Sequence, residues 1–367
     1  MSKKEADQRY RGFTPVVAVV ALTVISLVFG SLYFIERYKT SQNSILPELQ
    51  KKLNVATRLQ TPFPFQDLTI PYLRDRLYQS ELGELEKVSE NVNYTNYFTS
   101  YDSEGFKVYG QLAIPKGNPP TSGYPAIIFI HGYIPPEEYQ TIVNYSSYVD
   151  YMVKNGLIVF KIDLRGHDES EGEAGGAYYS GDYVIDTLNA VAAIKKLRDP
   201  SNSLRSIVDA DRIGLWGHSM AGNVVFRSFV ASDEISKVVI WAGAGYTYSD
   251  LQDFRIQDNS YRPPPPGTER ARKRTELRNL YGDFNPEDEF WKQVPGTNYL
   301  EGVVGQIQLH HATNDNVVSI DYSRNLMSIL DNTQIEHELF EYSSGGHNLT
   351  GTSFTEAMQR SADFFKN

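Results

Sequence analysis

Six short apolar runs constrain what this chain can fold into: "AIIFI" (126–130), "LIVFKIDL" (157–164), "RIGLWG" (212–217), "KVVIWAG" (237–243), "IQLHHA" (307–312) and "HELFEY" (337–342). Runs of this length with little polar alternation read as strands covered on both faces. Between two of them, residues 183–197 carry apolar side chains at 184, 185, 188, 191, 194 and 197, the spacing of an amphipathic helix. Strands alternating with helices predict an α/β architecture, a mainly parallel sheet with helices on both faces. Upstream, "YFTSYDSEGFKVYGQLAIP" (97–115) alternates about "DSEG" and predicts a β-hairpin. One short helix is expected near residues 73–88.

Residues 245–299 are too long for an ordinary crossover and include "YRPPPPGTERARKRTELRNLYGDFNPEDEFW". They are expected to form a helical cap over the carboxyl edge of the sheet. The basic residues Arg270, Arg272, Lys273, Arg274 and Arg278 within them read as a solvated helix face, with an anion site as the alternative.

Residues 15–35, "PVVAVVALTVISLVFGSLYFI", hold 21 residues without a charge. As a helix they would extend roughly 30 Å, the thickness of a bilayer core. "ERYKTSQ" follows instead of a small-residue cleavage site, so an uncleaved transmembrane helix is expected rather than a signal peptide. Lys3, Lys4, Arg9 and Arg11 all lie close before it, which favours a cytoplasmic amino terminus and a catalytic domain on the non-cytoplasmic side. The expected division is a tail (1–14), a single transmembrane helix (15–35), a linker with an N-terminal extension (36–96) and a catalytic domain (97–367) with its cap at 245–299.

A net charge of −10 supplies no basic face for nucleic acid. With no cysteine, disulfides, thiolate nucleophiles, Cys-based zinc sites and iron–sulfur clusters are excluded. His310 and His311 are neighbours on one predicted strand, so they point to opposite faces and cannot readily share a metal. Neither a cofactor nor a metal is expected.

Ligands of an open parallel sheet bind beyond the carboxyl ends of its strands. The residues there include His131 and Gly132, residues 163–167, Ser219, Asp315 and His347. Ser219, in "GHSMAG", follows a strand and precedes a helix. His347 sits in "SSGGH", a glycine-rich loop, and Asp315 ends "HHATND". A serine needs a base to take its proton and a carboxylate to orient that base, and these three supply the set. Asp321, the rival acid, falls within the next helix, where it serves the first turn. An oxyanion needs preorganised N–H groups; the backbone amides of Met220 and Tyr133 are the candidates. His131 reads as a strand-end residue holding its loop, His167 and His218 as loop-bonding residues, and His337 as exposed on an edge strand.

The set "FIHGY", "IDLRGHDES", "GLWGHSMAGN", "HHATNDNVVSIDYS" and "GGHN" resembles the α/β-hydrolase superfamily and, within it, the catalytic domain of the prolyl oligopeptidase family of serine peptidases and its esterase-like relatives. The resemblance covers residues 97–367 and implies Ser219 as nucleophile, Asp315 as acid and His347 as base, in the chain order of that fold. Two positions depart from the family pattern: Ala221 stands where the elbow usually has Gly, and Ala312 where "HGTxD" has Gly. Fewer than 100 residues precede position 97, so a size-selecting β-propeller is not expected. The expected activity is a membrane-anchored serine hydrolase cleaving peptide bonds. A carboxylesterase with the same triad is the alternative, and a non-catalytic binding protein on the same fold the distant one. Substrates are small esters or peptides, and the bilayer is met through residues 15–35. Glu137 and Glu138 are the only adjacent acidic pair near the oxyanion loop that could hold a substrate ammonium, and surface exposure is the simpler reading.

Overall fold

The computed structural model describes residues 62–199, 202–254, 256 and 264–367. The expected transmembrane segment, residues 15–35, lies outside them. Among the described residues no helix is long and apolar enough to cross a membrane.

The expected hairpin forms from β2 (Tyr94–Ser103) and β3 (Phe106–Pro115), and β1 (Glu86–Glu90) pairs antiparallel along its outer side. The apolar runs become β4 (Tyr124–Ile130), β5 (Ile158–Ile162), β8 (Val208–His218), β9 (Lys237–Trp241), β10 (Gln306–Ala312) and β11 (Glu336–Tyr342). Between β5 and β8 stands a small separate antiparallel pair, β6 (Arg198–Asp199) with β7 (Asn202–Ser206), which no apolar run marks in the sequence. Among the described residues the main sheet has nine strands in the order β1-β2-β3-β5-β4-β8-β9-β10-β11. β5 through β11 in that order are parallel, and the three N-terminal strands extend the sheet antiparallel.

Every residue of β4 and β5 is buried, as continuous apolar strands require when both faces are covered. On one face, Ile127, Phe129, Trp216, Val239 and Trp241 pack with α2 (Ser146–Lys154) and α8 (Thr352–Lys366), whose identities follow from the numbering α1 (Ile70–Asp75), α2, α3 (Asp182–Ile194), α4 (Ala221–Ala231), α5 (Asp250–Asp253), α6 (Glu269–Tyr281), α7 (Asp321–Leu330) and α8. Phe129 stacks on Trp216 at 4.1 Å between ring centroids. A fully buried aromatic of this size stabilises by about 2–3 kcal/mol, so this contact fixes the central strands firmly. α3 and α4 pack on each other and on the central strands outside that cluster.

The helix expected near residues 73–88 is not there. α1 stops at Asp75, and Glu86–Glu90 is a strand. Gly83 donates its amide to the Ser100 carbonyl at 2.7 Å, and a β-carbon on it would meet Ser100 Oγ at 2.8 Å. The segment is held extended against the hairpin, and edge pairing overrides the helical preference of its Glu and Leu residues. The long segment after β9 contains α5, α6 and two 3-10 turns, Trp291–Gln293 and Gly296–Asn298. Pro64–Asn367 is one compact unit.

Candidate active site

β8 ends at His218 and α4 begins at Ala221, so Ser219 sits on the turn between them with φ +55°. A left-handed backbone at a non-glycine residue costs on the order of 1–3 kcal/mol and persists only where the surroundings enforce it. Ser219 N–H donates to the Trp241 carbonyl at 2.9 Å, and Gly222 N–H donates to the Ser219 carbonyl at 2.9 Å. Small neighbours make the turn possible. A β-carbon on Gly217 would lie 2.6 Å from Val225 Cγ2, and one on Gly222 would lie 2.7 Å from Gly243 Cα. Ala221 is fully buried and adds one methyl at a place where little more would fit.

Three loops at the carboxyl edge then converge. His347 lies on the 3-10 turn Gly346–Asn348, entered through Gly345 at φ +114° and left through Leu349 at φ +50°. Its Nε2 is 2.9 Å from Ser219 Oγ, and its Nδ1 is 2.8 Å from Asp315 Oδ2. The carboxylate can only accept, so Nδ1 carries the proton and Nε2 accepts from the serine hydroxyl. Ser219 is 3% exposed and the Asp315 side chain is out of solvent, so water screens neither contact well.

Asp315 collects more donors than the sequence indicated. Oδ1 accepts from the Val317 and Val318 amides at 2.8 and 3.0 Å. Oδ2 accepts from His347 and lies 3.2 Å from His311 Nε2. His311 Nδ1 meets Ser323 Oγ at 2.8 Å, while its Nε2 faces only acceptors, Asp315 Oδ2 and the Val318 carbonyl, so the proton belongs on Nε2. Burial alone would raise this carboxyl, but the His311 and His347 hydrogen bonds hold it well below the usual carboxylate range. His310 faces the other way, to Tyr342 and Gln308. The opposite-face reading of the two histidines therefore holds, but it missed the role of His311, whose signal was the i, i+4 spacing to Asp315.

A second relay runs beneath the site. Gly132 N–H donates to Tyr145 Oη at 3.0 Å, Tyr145 O–H donates to His218 Nδ1 at 2.7 Å, and His218 Nε2–H donates to the His347 carbonyl at 3.0 Å. Each atom has one consistent role, because the His347 carbonyl at the end can only accept. The relay ties the loop after β4 to the turn carrying His347. Burial, with His347 beside it, pushes His218 down to about 3, so it stays neutral at physiological pH. Asn314 Oδ1 also accepts from the Gly346 amide at 3.0 Å, joining the Asp315 and His347 loops.

The amide of Met220 precedes α4, at the end where helix N–H groups find no intrahelical acceptor. Tyr133 is half-buried on the loop after β4. His131 is fully buried with Nδ1 2.7 Å from the Gly132 carbonyl and Nε2 2.9 Å from the Asp163 carbonyl, the loop-holding position expected of it. His167 Nδ1 faces the Arg165 carbonyl at 3.2 Å. Asp321 opens α7 and takes a hydrogen bond from Ser319, away from His347. Glu137 and Glu138 are exposed. His337 is half-buried rather than exposed, because Ile335 and Asp331 fold onto it. Among the described residues no cluster of His, Asp or Glu could hold a metal ion.

The family model described as serine aminopeptidase, S33, matches residues 124–256, a stretch that includes Ser219. Mouse dipeptidyl peptidase 8 is 30% identical over 157 residues, 41% of this chain and 16% of that protein; the human protein gives the same figures. The chain thus spans only about a sixth of the length of these relatives. Among solved structures, acetyl xylan esterase 1 from Thermoanaerobacterium sp. matches with a TM-score of 0.52 at 18% identity, over 83% of this chain and 94% of that one. An acylaminoacyl peptidase from Pyrococcus horikoshii matches with a TM-score of 0.55 at 19% identity, over 75% of this chain and 42% of that one. Dipeptidyl peptidase 4 from Porphyromonas gingivalis matches with a TM-score of 0.53 at 18% identity, over 75% and 35%. The chain has the α/β-hydrolase fold and is similar to dipeptidyl and acylaminoacyl peptidases and to acetyl xylan esterases.

Proposed function

We propose that the protein is a membrane-anchored serine hydrolase that cleaves peptide bonds through an acyl-enzyme on Ser219. The observation that carries the reading is the continuous hydrogen-bonded line Ser219–His347–Asp315 beginning at a serine with φ +55°. In the first step Ser219 Oγ attacks the scissile carbonyl carbon while its proton passes to His347 Nε2. The carbonyl π pair moves to oxygen, and the resulting oxyanion accepts from the Met220 and Tyr133 amides, each worth roughly 10²–10³ in rate. Asp315 holds His347 Nδ1–H and stabilises the imidazolium. Collapse of the tetrahedral intermediate breaks the bond to the leaving group, which takes the proton from His347. Water then repeats the sequence on the acyl-enzyme and releases the acid.

A carboxylesterase is the second reading, and coverage favours it. The match takes in 94% of the acetyl xylan esterase chain but only 42% of the acylaminoacyl peptidase. The likeness to dipeptidyl peptidase 8 and the S33 family model favour peptide substrates. Membrane anchoring rests on residues 15–35 and their 21 uncharged positions, and the non-cytoplasmic placement on the basic residues ahead of them.

Peptide p-nitroanilides assayed beside p-nitrophenyl esters separate the two activities. Turnover of esters with none of anilides removes the peptidase reading. A Ser219→Ala protein that keeps its turnover removes the mechanism. A reporter fused after Asn367 that is active only in the cytoplasm overturns the orientation.

A further inference from the structure

The five basic residues expected as one solvated face are sorted by α6 into two groups. Arg272 pairs with Glu269 and Glu276, and Arg278 pairs with Asp283 at 3.0 Å, all at the surface. Arg270, Lys273 and Arg274, at helical spacing i, i+3 and i+4, line a cavity whose opposite wall comes from the loop after β5 and from Asp182 at the start of α3. Among the described residues none of these three pairs with a carboxylate. The Arg274 guanidinium lies over the Tyr179 ring at 4.5 Å, and its Nε, shielded from water, has no hydrogen-bond partner among the described residues. Arg270 lies against Gly176, where a β-carbon would approach its Nε to 3.4 Å. The acids of the wall make their ion pairs elsewhere: Glu269 with Arg272 and Asp182 with Arg165 at 3.4 Å, while Glu173 is exposed.

Lys273 is partly balanced by Asp67 and Glu269, which leaves the guanidinium groups of Arg270 and Arg274 at the cavity with no ion pair among the described residues. Packed residues link the cavity to the helix that follows Ser219. Tyr178, in its wall, packs on Gly245 so tightly that a β-carbon there would lie 2.2 Å from Cε1. The Gly245 carbonyl accepts from Asn223 Nδ2, four residues beyond Ser219 on α4.

Building on the hydrolase reading above, we infer that this cavity binds a carboxylate carried by the substrate, so that the enzyme selects acyl compounds bearing an anionic group near the scissile bond. Planar guanidinium groups match a carboxylate in shape and charge, and the Tyr179 ring keeps that of Arg274 in a fixed plane.

The test compares two esters with the same five-carbon acyl chain, the p-nitrophenyl half-ester of glutaric acid and p-nitrophenyl pentanoate, on the full-length protein and on an Arg270→Gln/Arg274→Gln double variant. The expected result is a preference for the half-ester of about 10-fold or more in kcat/KM. In the double variant that preference disappears, chiefly through KM, while pentanoate turnover stays within about twofold and a fluorophosphonate probe still labels Ser219. Raising sodium chloride weakens the half-ester reaction selectively. Equal turnover of both esters by the unaltered protein, or equal loss on both in a variant that still labels, overturns the inference and leaves the hydrolase reading standing. No turnover of either ester together with no labelling overturns both.

Discussion

Asp315 and the inner face of α6 handle charge in opposite ways. The single carboxylate of Asp315 gathers four N–H groups, from His347, His311, Val317 and Val318. Arg270, Lys273 and Arg274 have no carboxylate partner among the described residues. The first arrangement is complete before any substrate arrives, as a group must be if it is to stabilise a transition state without reorganising. The second holds its guanidinium groups without a fixed ion pair among the described residues, as suits a surface that receives an anion from outside. The difference separates the parts of the molecule assigned to chemistry from the part assigned to selection.

The largest effect tests the completed side. Ser219→Ala is expected to lower kcat by about 10⁴–10⁶ with little change in KM, measured on a p-nitrophenyl ester. Next comes the crowding of the turn. Ala221→Val adds two methyls at a fully buried position beside Gly217, and is expected to lower stability by about 1–3 kcal/mol in urea unfolding. Ala221→Gly is expected to keep activity within about twofold, because the change only removes one methyl and loosens the backbone.

His311→Asn sharpens the comparison by taking one donor from Asp315. Loss of a charge-assisted hydrogen bond is expected to reduce kcat about tenfold, equivalent to about 1.4 kcal/mol. KM should hardly move. A role confined to packing would lower the melting temperature and leave kcat unchanged.

A smaller and more distributed effect concerns acid. Burial pushes His131 down to about 4 and His167, His218 and His310 to about 3. The unfolded chain protonates these imidazoles near 6.5, whereas the folded one resists until pH 3–4, so unfolding takes up protons between those limits. Stability is therefore complete above about pH 6.5 and falls as the pH drops towards 4. The depressed Asp315 carboxyl adds to the loss below about pH 4, where the unfolded state protonates first. Urea midpoints at pH 7.5, 6 and 5 measure the trend, and a midpoint that rises on acidification contradicts it.

What could be read ahead of the structure follows from how local each signal is. β4, β5 and β8–β11 lie where the apolar runs are, because strands buried on both faces need continuous apolar sequence. Ser219, Asp315 and His347 follow their strands, so strand position alone brings them to one edge. β1 was not legible, since an exposed edge strand such as "EKVSE" has no apolar face to reveal it. The Gly132–Tyr145–His218–His347 relay joins residues up to 215 positions apart, counting from Gly132 to His347, and only the fold aligns their donors and acceptors. Likewise, composition shows five cations on α6, but the helix must be placed before Arg270 and Arg274 can be told from Arg272 and Arg278.

The central claim is that Ser219 is the nucleophile activated by His347. Incubation of the purified protein with a fluorophosphonate probe, followed by tryptic mass spectrometry, tests it directly. The account predicts one modified peptide carrying the adduct on Ser219, with labelling abolished in Ser219→Ala and strongly slowed in His347→Ala. An adduct on another residue, or undiminished labelling of a folded Ser219→Ala protein, contradicts it.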